Sequence, residues 1–130
     1  AVSLSGALGV EMFLTKTGGL YVNELAPRPH NSGHYSIEAC SMSQFDAHIR
    51  GICGWPLGEK VRLTSNAVMV NVLGEQLLES YRLIENKPDW QFHFYGKKQA
   101  KKGRKMGHIT ILTEDIQQTL EEIKQTNIWD

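Results

Sequence analysis

The stretch Gly9-Val10-Glu11-Met12-Phe13-Leu14-Thr15, then Lys16-Thr17-Gly18-Gly19, then Leu20-Tyr21-Val22-Asn23-Glu24-Leu25 decides how the chain is read. Two runs rich in strand-favouring residues flank a Gly-rich turn, the pattern of a β-hairpin. With residues 16–19 as a four-residue turn, Thr15 faces Leu20, and counting back sets Glu11 opposite Glu24. Opposed residues share a face, with Cβ atoms about 4.5–5.5 Å apart. Two carboxylates that close repel unless a proton or a cation lies between them. Mg²⁺ is commonly held by one or two carboxylates plus substrate phosphates. The register therefore predicts a divalent-metal site at Glu11 and Glu24, whereas a slip by one residue leaves both as unrelated surface groups. Phe13, Thr15, Leu20 and Val22 share the glutamate face in this register. Val10, Met12, Leu14, Tyr21, Asn23 and Leu25 form the other. Neither face is plainly polar, so the hairpin is expected to be a covered part of a sheet.

Beyond the hairpin, Pro27, Pro29 and Gly33 keep residues 26–34 from regular structure. This loop presents Arg28, His30, Asn31, Ser32 and His34 just past the predicted metal, where polar site residues tend to sit. Upstream, residues 2–8 read as the last turns of a helix ending at Gly9. Downstream, residues 37–42 and 43–53 read as helical. Ser43 and Asp46 form a capping box, and Phe45, Ile49 and Ile52 an apolar face. Gly54, Pro56 and Gly58 end that helix, and a second unit is expected to begin near Leu63. There, residues 67–73 alternate as a strand and residues 76–84 read as a short helix. Residues 90–95 form a strand with Trp90, Phe92 and Phe94 on one face. A basic turn leads into a return strand over residues 106–112. Acids at Glu114 and Asp115 open a last helix striped with Ile116, Leu120 and Ile123.

The chain has 130 residues, 41% apolar and 22% charged, the composition of a soluble globular protein. The formal net charge is zero, which speaks against nucleic acid and membrane as partners. Charge is uneven, however: residues 97–105 hold six basic groups and no acid. Beside Tyr95 this run is the strongest ground for a rival class, a phosphate- or nucleic-acid-binding module. Cys40 and Cys53 have no metal-type spacing and read as half-buried free thiols. His93 and His108 read as structural groups, as does the aromatic stripe. The sequence opens at Ala1 inside what looks like a structured element, so it is expected to be the C-terminal piece of a longer protein.

Gly-Val-Glu-x-Phe at residues 9–13, Asn-Glu-x-Ala-Pro-Arg-x-His-Asn-Ser-Gly-His at residues 23–34 and Gly-Arg-Lys-x-Gly-His at residues 103–108 resemble N5-carboxyaminoimidazole ribonucleotide synthetase. This is an ATP-grasp ligase family of purine biosynthesis, and the resemblance covers nearly the whole chain. It implies an α+β fold: the C-terminal part of an ATP-grasp domain over residues 1–62, then a small β-rich C-terminal domain, a rudimentary barrel-like motif, over residues 63–130. It implies ATP- and bicarbonate-dependent carboxylation of 5-aminoimidazole ribonucleotide through carboxyphosphate, with ATP and Mg²⁺ as cofactors. In the roles it implies, Glu11 and Glu24 hold the metal, and Asn23 with Glu24 binds ATP. Arg28 is catalytic toward bicarbonate. Lys97 and Arg104 are catalytic and bind the ribonucleotide together with Lys105, His30, Asn31 and Ser32. Lys101 and Lys102 stand where Arg and Pro are expected, so a bidentate role does not carry over to Lys101. A cytoplasmic homodimer, inactive as the isolated piece, is also expected. The alternative within the superfamily is a formate-dependent or biotin-dependent ATP-grasp relative.

Overall fold

The computed structural model describes residues 3–129. Two compact units divide between Arg62 and Leu63. Among the described residues, no helix is long and apolar enough to cross a membrane.

In the first unit, β1 (Gly9–Leu14) pairs antiparallel with β2 (Leu20–Ala26) in a two-stranded sheet. The turn differs from the expected one. Leu14, not Thr15, pairs with Leu20, and Phe13 with Tyr21 and Met12 with Val22. Thr15 joins the loop, where its N–H donates to the Gly19 carbonyl and its Oγ1 accepts from the Gly19 N–H, each at 2.8 Å. The register then shifts between Glu11 and Met12, so Glu11 still pairs with Glu24 and Val10 with Leu25. Asn23 is the extra residue of this β-bulge, a device that re-aims side chains. Leu20 and Val22 consequently share a face with Val10, Met12, Leu14 and Leu25, and Tyr21 moves to the glutamate face. Neither face is covered: of the hairpin's residues only Ala26 is buried.

The helix expected over residues 2–8 is absent from its described part, residues 3–8, and Val2 lies outside the described residues. The Ala7 N–H instead donates to His48 Nδ1, a tertiary partner in place of a helical one. After β2 come a 3₁₀ turn over Asn31–Gly33, α1 (Ser36–Ala39) and α2 (Gln44–Cys53). Ser43 caps α2 in the expected capping box with Asp46. The apolar stripe of α2 is not buried: Phe45, Ile49 and Ile52 all remain exposed. Both cysteines are free thiols; Cys40 is half-buried, whereas Cys53 is exposed.

The second unit is an antiparallel sheet of β3 (Ala67–Leu73), β5 (Lys105–Leu112) and β4 (Gln91–Phe94), in that spatial order. A 3₁₀ turn over Gly74–Gln76 and α3 (Leu77–Leu83) follow β3, and α4 (Ile116–Gln125) follows β5. Central β5 is buried from Met106 to Ile111. The core joins Val72, Trp90, Ile109, Ile111 and Ile123, with Phe92 and Phe94 packed against it. On α4 the buried pair is Thr119 and Ile123, while Ile116 and Leu120 face outward. Thr119 tolerates burial because its hydroxyl bonds to Thr113 Oγ1 and the Asp115 carbonyl.

Candidate active site

In the first unit, the bulge decides the chemistry of the hairpin. An unbroken strand would turn Asn23 away from Glu24. The inserted residue instead brings Asn23 back to the glutamate face, where its Nδ2 donates to Glu11 Oε1 at 3.0 Å. Glu11, Glu24 and Asn23 thus gather on one exposed surface. His30 approaches the same surface, with Nε2 3.8 Å from Glu11 Oε2. That approach depends on Gly9, where a Cβ would lie 2.8 Å from the His30 Cβ. All three hairpin groups offer hard oxygen donors, which suits a divalent cation. Among the described residues no three His, Cys, Asp or Glu side chains converge on one point. Two carboxylates on one face are a donor set that can hold a divalent cation when phosphates and water complete its coordination.

The loop after β2 is pinned rather than free. Arg28 is exposed, and its guanidinium donates to the Pro29 carbonyl at 3.1 Å. His30 Nδ1 meets Ser32 Oγ at 2.8 Å and caps the 3₁₀ turn that holds Asn31 and Ser32. Gln44, at the start of α2, accepts from the His30 N–H at 2.8 Å. It donates to the His30 carbonyl, also at 2.8 Å. Sequence reasoning missed Gln44 altogether. Its sole signal was its place directly after the Ser43 cap.

In the second unit, the basic turn gathers Lys97, Arg104 and Lys105. The Lys97 ammonium donates to the Lys105 carbonyl and lies 5.3 Å from the centre of the Tyr95 ring, a cation–π contact. The Tyr95 hydroxyl meets Nδ1 of buried His108 at 2.9 Å, and His108 stacks on His93 at 4.5 Å. Arg104 donates to the Gln99 carbonyl at 3.1 Å. Glu75, another residue the sequence did not point to, clamps this turn. Its carboxylate accepts the Gly103 N–H at 2.8 Å. Its own backbone N–H and then that of Gly103 hold the carboxyl below its ordinary range; desolvation opposes them more weakly, and Lys102 adds the smallest lowering effect. Gly74 makes the clamp possible, since a Cβ there would stand 2.1 Å from the Lys101 carbonyl oxygen.

Comparison with known proteins agrees along both units. Residues 1–45 match the family model of the ATP-grasp domain, and residues 67–122 match that of the phosphoribosylaminoimidazole carboxylase C-terminal domain. The chain belongs to the ATP-grasp proteins. N5-carboxyaminoimidazole ribonucleotide synthase from Staphylococcus epidermidis is 53% identical over 123 residues, covering 92% of this chain and 32% of that protein. The crystal structure of the Staphylococcus aureus synthetase superposes with a TM-score of 0.91 at 46% identity, over 96% of this chain and 34% of that one. That of the Aspergillus clavatus enzyme, in complex with ADP and the aminoimidazole ribonucleotide, gives 0.84 at 37% identity, over 93% and 34%. Within the ATP-grasp proteins, the chain belongs to the N5-carboxyaminoimidazole ribonucleotide synthase family, and its α+β fold is that of the family's C-terminal portion. It spans about a third of the length of the curated relatives it matches.

Proposed function

We propose that the chain serves an ATP-dependent ligase that carboxylates the exocyclic amine of 5-aminoimidazole ribonucleotide. The observation that carries this reading is the hairpin face shared by Glu11, Glu24 and Asn23, in a chain with the family's fold over nearly its whole length. Residues 1–62 are the C-terminal part of the ATP-grasp domain and residues 63–130 the small C-terminal domain. Bicarbonate is a poor electrophile until one oxygen becomes a leaving group. In the first step a bicarbonate oxygen bonds to the γ-phosphorus of ATP, the bond to the β-bridging oxygen breaks, and ADP leaves. The amine then attacks the carbon of carboxyphosphate, loses a proton, and phosphate departs.

Glu11 and Glu24 would hold Mg²⁺, which when bound neutralises phosphate charge. Asn23 orients Glu11 and, with Glu24, faces the nucleotide. Arg28 presents a planar guanidinium suited to bicarbonate through paired hydrogen bonds. His30, Asn31 and Ser32 contribute to binding the ribonucleotide. Lys97, Arg104 and Lys105 neutralise the 5′-phosphate and the developing carbamate. The reading extends to a cytoplasmic homodimer, on the family resemblance.

The test is phosphate release by a full-length ligase carrying this chain. Release is expected to require ATP, bicarbonate and the ribonucleotide together. Turnover with formate in place of bicarbonate would move the chain to another branch of the ATP-grasp ligases. The isolated 130 residues are expected to release none.

A further inference from the structure

We propose that Gln44 is a positioning residue, whose side-chain amide fixes the backbone of the Arg28–His30 loop and holds His34 as the tautomer protonated on Nε2. Its orientation follows from two partners of fixed polarity. The His30 N–H can only donate, so the atom 2.8 Å from it is the amide oxygen. The His30 carbonyl can only accept, so the atom 2.8 Å from it is the amide nitrogen. Each bond independently assigns the same orientation, and a flip would lose both. The second N–H of the amide then meets His34 Nδ1 at 2.7 Å, and this ring nitrogen must accept. The base of the clasp is secured in turn. Ser36 Oγ accepts the Gln44 backbone N–H at 2.9 Å and donates to the Gly33 carbonyl.

The same reasoning reaches His30. The Ser32 backbone N–H can only donate, and it points at His30 Nδ1 at 3.4 Å. Nδ1 is therefore the acceptor, and Ser32 Oγ–H donates to it as well. The ring proton sits on Nε2, the atom that faces Glu11. The loop thus presents an N–H toward the carboxylate face, not a lone pair. One amide on α2 sets the backbone from which that donor projects.

This inference rests on the proposed function for its kinetic test and stands on structure alone for its spectroscopic one. In a full-length ligase with ¹⁵N-labelled histidines, His34 is expected to show a bare Nδ1 and a protonated Nε2; the opposite tautomer overturns the clasp. In Gln44→Ala, the His34 Nδ1 resonance should shift as its amide donor is lost, and kcat should fall about 10–100-fold, the usual cost of losing an orienting partner. The KM for ATP should stay within about twofold of its starting value on the same argument. Gln44→Glu keeps the acceptor for the His30 N–H and draws a proton onto His34 Nδ1, a signature that general destabilisation would not produce. If Gln44→Ala fails to fold, Gln44→Glu and the unsubstituted protein still decide. Arg28→Ala and His30→Ala, measured in parallel, separate the two claims. Full turnover in both overturns the loop's catalytic assignment. Their loss of activity alongside a fully active Gln44→Ala overturns the positioning role alone.

Discussion

Ile109, at the middle of β5, is completely buried, whereas Leu14 and Leu20, paired at the tip of the hairpin, are 73% and 61% exposed. The second unit closes over its own core. The first presents the six-residue face Val10, Met12, Leu14, Leu20, Val22 and Leu25 with no cover among the described residues. A lone two-stranded hairpin is marginal in water. The contrast separates stability from chemistry. The second unit packs a core of its own, while the first gathers its paired carboxylates on an exposed hairpin whose following loop is held by Gln44 of α2.

The strongest way to break this comparison is a pair of truncations in the 130-residue chain. Ile109→Ala should cost about 2–5 kcal/mol in urea unfolding. Leu14→Ala should change stability by less than about 0.5 kcal/mol; equal losses would mean that the hairpin is a cohesive element after all. Next comes a functional contrast in the full-length ligase. Glu24→Gln should slow ATP cleavage roughly 10²–10³-fold, the scale of losing a charge-stabilising group. Arg104→Ala should chiefly raise the ribonucleotide KM, and an equal loss of nucleotide binding in both would merge the two roles. Gly74→Ala should cost about 1–3 kcal/mol through overpacking and displace the basic turn, visible as altered amide shifts at residues 101–105.

Smaller still is Tyr95→Phe. It keeps the ring under Lys97 but removes the bond to His108, at about 1 kcal/mol in thermal unfolding. The mildest probe is pH. The Glu75 carboxyl is held below its ordinary range, so its clamp is fully present above that range and weakens as pH falls through the lowered value. Protection of the Gly103 amide should fade over that acidic window and become independent of it in Glu75→Gln.

Much of the fold was legible because local patterns carried it. The 67–73 strand, the Ser43 cap and the aromatic stripe of β4 rest on alternation and capping chemistry. Exposure was not legible. Spacing marks an apolar face on α2 and a stripe on α4 that is expected to be buried, yet Ile49, Ile52 and Leu120 face outward and only Ile123 of the α4 stripe is buried. Periodicity identifies an apolar face but not whether anything packs against it. Among the candidate site residues, Gln44 and Glu75 were invisible because their roles are bonds to backbone groups distant in sequence.

The amino-acid sequence by itself determined the hairpin, the glutamates that pair across it, the polar loop beyond it and the basic turn near the far end. It did not determine why the glutamates pair. The expected turn is one residue too short, and the bulge at Asn23 cancels that error, so the predicted pairing arises from a different ladder. Only the tertiary structure decided that Asn23 joins the carboxylates and that Leu20 and Val22 leave them. The physical reason is the period of two in a strand: each single-residue shift exchanges the faces, and the chain makes two such shifts between the turn and Glu24.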